Sequence, residues 1–163
     1  MSHQPVIDGF EFASAGATQQ GKIAIGEFSR LRDQLASDAG EVAYEVQGLR
    51  DERGRPSLRV KVQGTLQLRC QRCLEAMAFE VDEDDVLVLA ATQAEIDADP
   101  ADAHAPDRVL AGKKMALRDL VEDQLILALP YAPRHEGCSG GTAAEGQEEN
   151  SPFAGLRGLL RRH

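Results

Sequence analysis

The chain has 163 residues, 42% of them hydrophobic and 28% charged, with a formal net charge of −9. This composition excludes collagen-like, coiled-coil and wholly disordered chains, and the length suits one domain that folds without staples. A uniformly acidic surface would repel nucleic acid and anionic membranes, which argues against a general nucleic-acid binder without saying where the charges lie. No apolar run approaches the ~20 residues that span a bilayer. Met1–Gly21 lacks the basic start and apolar stretch of an export signal, so a cytoplasmic protein with no membrane partner is expected. The odd count of three cysteines, Cys70, Cys73 and Cys138, argues against a disulfide framework and leaves reduced structural thiols, metal ligands or redox groups.

In chain order, Met1–Gly21 offers two short apolar patches and at best an edge strand. Phe28, Leu31 and Leu35 recur at helical spacing and predict a helix over Glu27–Ala39, with Gly40 as its C-cap. Period-two alternation predicts strands at Glu41–Gly48, Ser57–Gly64 and Thr65–Arg69, with turns at Gly54–Pro56 and at Gly64. Phe79 and Val81 suggest a fourth strand. Val86–Ala91 suggests a fifth, buried on both faces. The acidic run Asp82–Asp85 between them reads as a solvated turn. Glu95–Asp107 reads as an acidic loop. Leu117–Leu129 carries the stripe Leu117, Leu120, Val121, Leu125 and Ala128 of a second helix, with Glu122 and Asp123 on its exposed face and Pro130 and Pro133 stopping it. Ser139–Asn150 reads as disordered, followed by a short helix that starts at Ser151-Pro152 and bears Phe153, Leu156, Leu159 and Leu160 beside Arg157, Arg161 and Arg162. The expectation is an α+β fold: an antiparallel β-meander, curved or barrel-like, packed with two main helices. Residues 1–138 would form one domain with an acidic loop at 92–108, and residues 139–163 a flexible tail.

Two features carry chemistry. Cys70-Gln-Arg-Cys73 lies between two predicted strands, and two cysteines at that spacing can place both sulfurs on one tetrahedral ion. His135-Glu-Gly-Cys138 offers an imidazole and a thiolate at the same spacing, so the four residues could form a Cys3His zinc site. The alternative is small buried residues in a turn, with His135 on the surface. A thioredoxin-like redox role is disfavoured because a strand, not a helix, follows the motif. The second feature is charge. Arg50–Arg72 carries seven basic residues against Asp51 and Glu52, or +5 inside a chain of −9. Alternation places Arg59, Lys61 and Arg69 on the outer sheet face, and with Arg72 they are candidate phosphate contacts for RNA. A solvated outer face is the plain alternative. No nucleophile elbow, phosphate-cradling loop or metalloprotease motif is present, so no enzyme is expected.

Cys70-Gln-Arg-Cys73-Leu74, the helix Leu120–Pro130, the segment Pro133–Cys138 and Ser151–Leu156 together resemble, in order and spacing, the bacterial YceD family. That family is known as a domain of unknown function and as a large ribosomal RNA subunit accumulation protein. The resemblance runs from Cys70 onward and is loose before it. It implies a role in synthesis, processing or stability of the large-subunit ribosomal RNA, with no established enzyme activity and no catalytic residue to carry over. Its cysteines correspond to Cys70, Cys73 and Cys138. Where relatives carry more cysteines near the last, this chain has only Cys138, with His135 before it. The expected partner is therefore large-subunit RNA or a pre-ribosomal particle. The competing reading is an adaptor for a basic ribosomal protein or an assembly enzyme, engaged through the acidic loop and the Phe153–Leu160 segment.

Overall fold

The computed structural model describes residues 5–98 and 105–138. In chain order it holds β1 (Val6–Ile7), α1 (Gly9–Ala15), β2 (Thr18–Ala24), a 3-10 turn (Ile25–Glu27), β3 (Leu35–Ser37), β4 (Glu41–Arg50), β5 (Pro56–Arg69), β6 (Ala76–Ala90), α2 (Gln93–Asp97), β7 (Arg108–Leu110), β8 (Met115–Ala116) and α3 (Leu117–Ala128). The expected α+β class holds, as a curled mixed sheet with three helices. The order is β2-β4-β5-β6-β7, antiparallel except for β7, which runs parallel to β6. β1 and β8 form a separate two-stranded ribbon. The tail expected over 139–163 and the centre of the acidic loop lie outside the described residues.

The strand alternation runs straight through two expected turns. Gly64 sits inside β5, opposite Val81. A Cβ at this position would lie 3.2 Å from Val42 Cγ2 and 3.3 Å from Val42 Cα. The missing side chain lets β4 come close, the role glycine takes where strands bend together. Asp82–Asp85 is likewise strand, within the 15-residue β6. β7 covers β6 only at Val88–Ala90, so the acidic run lies on the uncovered stretch of that edge. Four consecutive charges there guard the edge against pairing with another chain. Beyond them, Leu87, Val88, Leu89 and Ala90 are buried, as their apolar run predicts.

The helix expected over Glu27–Ala39 does not form. Phe28, Leu31 and Leu35 are all buried, so the pattern marks the core correctly and the element wrongly. Leu35–Ser37 instead pairs with β5 at Leu68 and Gln67, covering the stretch of β5 that β4 leaves free. Ser29, Asp33, Ser37 and Asp38 hold the helix propensity low enough for that pairing to win. A helix appears earlier than expected. Asp8 Oδ1 accepts from Phe10 N and Glu11 N, both at 3.1 Å, and starts α1. Gly16, at φ +60°, ends it. Inside the expected acidic loop, Thr92 Oγ1 accepts from Glu95 N and Glu95 Oε2 accepts from Ala91 N, a reciprocal cap that starts α2.

α3 follows its predicted stripe, with Leu117, Val121 and Leu125 fully buried among Leu58, Val60, Leu66 and Leu87 of the sheet. Glu122, expected on the exposed face, is buried at 2% exposure. Its carboxylate accepts from Arg30 N at 2.7 Å and Arg30 Nε at 3.0 Å, while Arg30 Nη1 donates to Asp123 at 2.5 Å. One arginine thus clamps the turn after the 3-10 segment onto α3. Glu122→Ala should cost about 2 kcal/mol, because it removes charge-assisted bonds at a dry site. A urea-denaturation midpoint equal to wild type would show that the clamp contributes nothing.

Candidate metal centre

β5 ends at Arg69 and β6 begins at Ala76, so the six residues between them form a hook at one end of the sheet. Within it, Leu74 N donates to Cys70 O and Cys70 N donates to Glu75 O, both at 2.9 Å. Leu74 takes φ +65°, which turns the chain back after the second cysteine. A second hook follows α3, where Pro130 and Pro133 end the helix and Gly137, at φ +70°, turns the chain between His135 and Cys138. A backbone bond from Gln71 N to Pro133 O, 2.8 Å, ties the two hooks together.

The hooks bring Cys70, Cys73, His135 and Cys138 together, with all ligand atoms within 4.8 Å of one another. Cys70 Sγ lies 3.7 Å from Cys138 Sγ, and Cys73 Sγ lies 3.7 Å from His135 Nε2. A tetrahedral ion with Zn–S bonds of about 2.3 Å separates its donors by about 3.6–3.8 Å. Those two pairs have the spacing of a tetrahedral site, and the four residues together could hold a metal ion. Cys70 and Cys138 are buried, and Cys73 and His135 half-buried. The turn with His135 loose on the surface is not what forms.

The thiols are electrostatically unequal. Backbone N–H groups, that of Cys73 foremost and then that of Arg72, hold Cys70 down to about 6. Burial first, then the neighbouring Cys73 and Cys70 sulfurs, pushes Cys138 up to about 11. One sulfur is thus ready as a thiolate, and a bound cation would draw the remaining protons off the others.

Leu74 carries the strain of the hook, since a branched residue in the left-handed region costs about 1–2 kcal/mol. Its side chain is 68% exposed and supports nothing. Leu74→Gly should leave the metal-loaded protein at least as stable as wild type, and Leu74→Val should lose about 1 kcal/mol more than wild type carries. Urea titrations of the two variants check the order, which would reverse if Leu74 were held by packing.

The four arginine and lysine candidates do not form one patch. Arg59 and Arg69 lie ten residues apart on β5, up to about 33 Å along an extended strand. Arg59 makes a two-pronged pair with Asp84 at 2.6 and 2.7 Å. That hydrogen bond holds Asp84 below the usual carboxylate range. Lys61 lies 3.9 Å from Glu45 and stands opposite Asp84 in the strand register. The register places Lys22, Arg59, Lys61 and Arg69 on the outer face beside Glu41, Glu45, Glu80, Asp82 and Asp84. The expected basic face is therefore a face of mixed charge, corrected by carboxylates on the neighbouring strands. Arg69 and Arg72 differ. Both are exposed at the metal-centre end, and neither has an ion pair among the described residues. Arg134, beside His135, is exposed and unpaired in the same way. Sequence reading passed over it, although its place next to a candidate ligand was a signal.

No helix among the described residues is long and apolar enough to cross a membrane. No curated protein and no solved structure matches the chain. The family model described as "Large ribosomal RNA subunit accumulation protein YceD" matches residues 58–160, which span both hooks.

Proposed function

Because the chain belongs to the YceD family of large ribosomal RNA subunit accumulation proteins, we propose that it is a non-enzymatic, cytoplasmic ribosome-biogenesis factor. In this reading zinc closes the two hooks, and the arginines they hold contact the phosphates of large-subunit RNA. The observation that carries the proposal is the closure of Cys70, Cys73, His135 and Cys138, with all four donor atoms within 4.8 Å of one another, beside the unpaired Arg69 and Arg72. Four protein donors fill a tetrahedral zinc, which favours a structural ion over one that activates water. Arg59 and Lys61 have a lesser share in RNA contact, since Asp84 and Glu45 already engage them.

Crosslinking of the full-length protein in cells, by ultraviolet light for RNA and by formaldehyde for protein, with both kinds of adduct identified in parallel, tests the proposal. The expected adducts are large-subunit RNA, mapped to the peptide bearing Arg69 and Arg72. Adducts confined to ribosomal proteins or assembly enzymes would favour the adaptor reading instead.

A further inference from the structure

Between the end of α3 and the first hook lies a cleft of about 610 Å3, lined by Gln34, Gln71, Leu129, Pro130, Tyr131 and Pro133. It is open to solvent rather than enclosed. Tyr131 is fully exposed at 105%, whereas Phe28 and Tyr44 are buried and Phe10, Phe12 and Phe79 are packed against the core. The ring is not needed by the fold. It stands between two prolines whose fixed φ limits the motion of the backbone beneath it. The Gln34 and Gln71 side chains are exposed, with no hydrogen bond among the described residues.

Three arginines lie on or beside the chain segments that line the cleft. Gln34 O accepts from Arg69 N at 3.0 Å, which fixes one wall beside Arg69. Gln71 precedes Arg72, and Pro133 precedes Arg134. These three arginines lack carboxylate partners among the described residues, in a chain of net charge −9. Glu75 and Glu136 share the hooks without pairing to them.

We infer that this cleft binds an unpaired nucleotide of single-stranded RNA, its base stacked on Tyr131. The inference rests on the RNA-binding reading above and deepens it. A flat exposed ring supplies stacking, and free carboxamides supply donors and acceptors for a base edge. The arginines supply the phosphate contacts. A basic ribosomal protein is the competing occupant, and the test below separates the two. Duplex RNA fits worse, because its bases are not free to leave the stack.

Fluorescence anisotropy of the zinc-loaded full chain tests this, with short fluorescein-labelled homopolymers of A and of U, the matching duplex, and a large-subunit RNA transcript. The single strands should bind more tightly than the duplex. Tyr131→Ala should weaken them roughly 5- to 100-fold at an unchanged salt slope, and Tyr131→Phe should restore binding, because stacking needs the ring alone. Arg72→Gln and Arg134→Gln should each reduce the salt slope by about 1. Wild-type affinity in Tyr131→Ala, with transcript binding intact, would overturn the cleft and leave the RNA reading standing. Absence of RNA binding in wild type would overturn both. Loss of ribosomal-protein capture by Tyr131→Ala, with RNA affinity unchanged, would mark the cleft as a protein dock.

Discussion

Stripping zinc from the full-length protein should lower its melting temperature by about 8–16 °C. The figure follows from linkage: an ion held at a thousand times its Kd adds about 4 kcal/mol, and each kcal/mol moves the midpoint of a chain this size by about 2–4 °C. The metal should dissociate with local loss of the hooks rather than collapse of the fold, since Val42, Val60, Leu87 and Leu125 form a core independent of the cysteines. Circular dichroism should therefore show the stripped protein still rich in strand. Metal analysis should find about one zinc per chain in wild type and close to none in Cys138→Ala, whose sulfur lies 3.7 Å from Cys70 Sγ. His135→Ala should retain the ion more weakly. Wild-type protein prepared without chelator that carries no zinc would remove the metal centre from the account.

The second large effect is expected far from the hooks. A Cβ at Gly48 would lie 2.2 Å from Phe12 O and 2.8 Å from Ala13 Cα. Both are backbone atoms of α1 and cannot swing aside. Gly48→Ala should therefore lift α1 from β4, breaking the 2.8 Å bond from Gly48 N to Ala17 O and exposing Ala13. The expected cost is about 3 kcal/mol, the upper part of the range for overpacking a filled site. Gly112 is the control, because a Cβ there meets nothing within 4 Å. Gly112→Ala should be neutral or slightly stabilising. Equal urea midpoints for the two variants would mean that α1 does not lie on β4 as described.

The sequence shows which residues are buried more reliably than which element buries them. Val42, Val46, Val60 and Val62 announce themselves by alternation, and Leu117, Val121 and Leu125 by helical spacing. Phe28, Leu31 and Leu35 also announce burial, but pairing with β5, more than thirty residues away, draws Leu35 into a strand, and Phe28 and Leu31 lie in the non-helical turns before it. Gly64 and Asp82–Asp85 look like punctuation to a local reading. Only the strand register reveals one as a close approach and the other as a guarded edge. The candidate metal centre is the most legible site, since two x-x spacings name all four of its residues. Charge was the least legible. The carboxylates that take Arg59 and Lys61 sit on β4 and β6, and composition along β5 cannot show them. Tyr131 also carries a sequence signal: an aromatic in a proline stop, outside any apolar stripe, has no core to join.

In the proposed function, RNA is met at the candidate metal-centre end of the sheet and not on its mixed-charge middle. Filter binding of zinc-loaded protein to a large-subunit RNA transcript, across a range of salt, tests it with two double variants. Arg69→Gln with Arg72→Gln should weaken binding roughly tenfold and reduce the salt slope by about 2. Arg59→Gln with Lys61→Gln should change both little. The reverse ranking, or equal losses from the two pairs, would place RNA elsewhere on the protein.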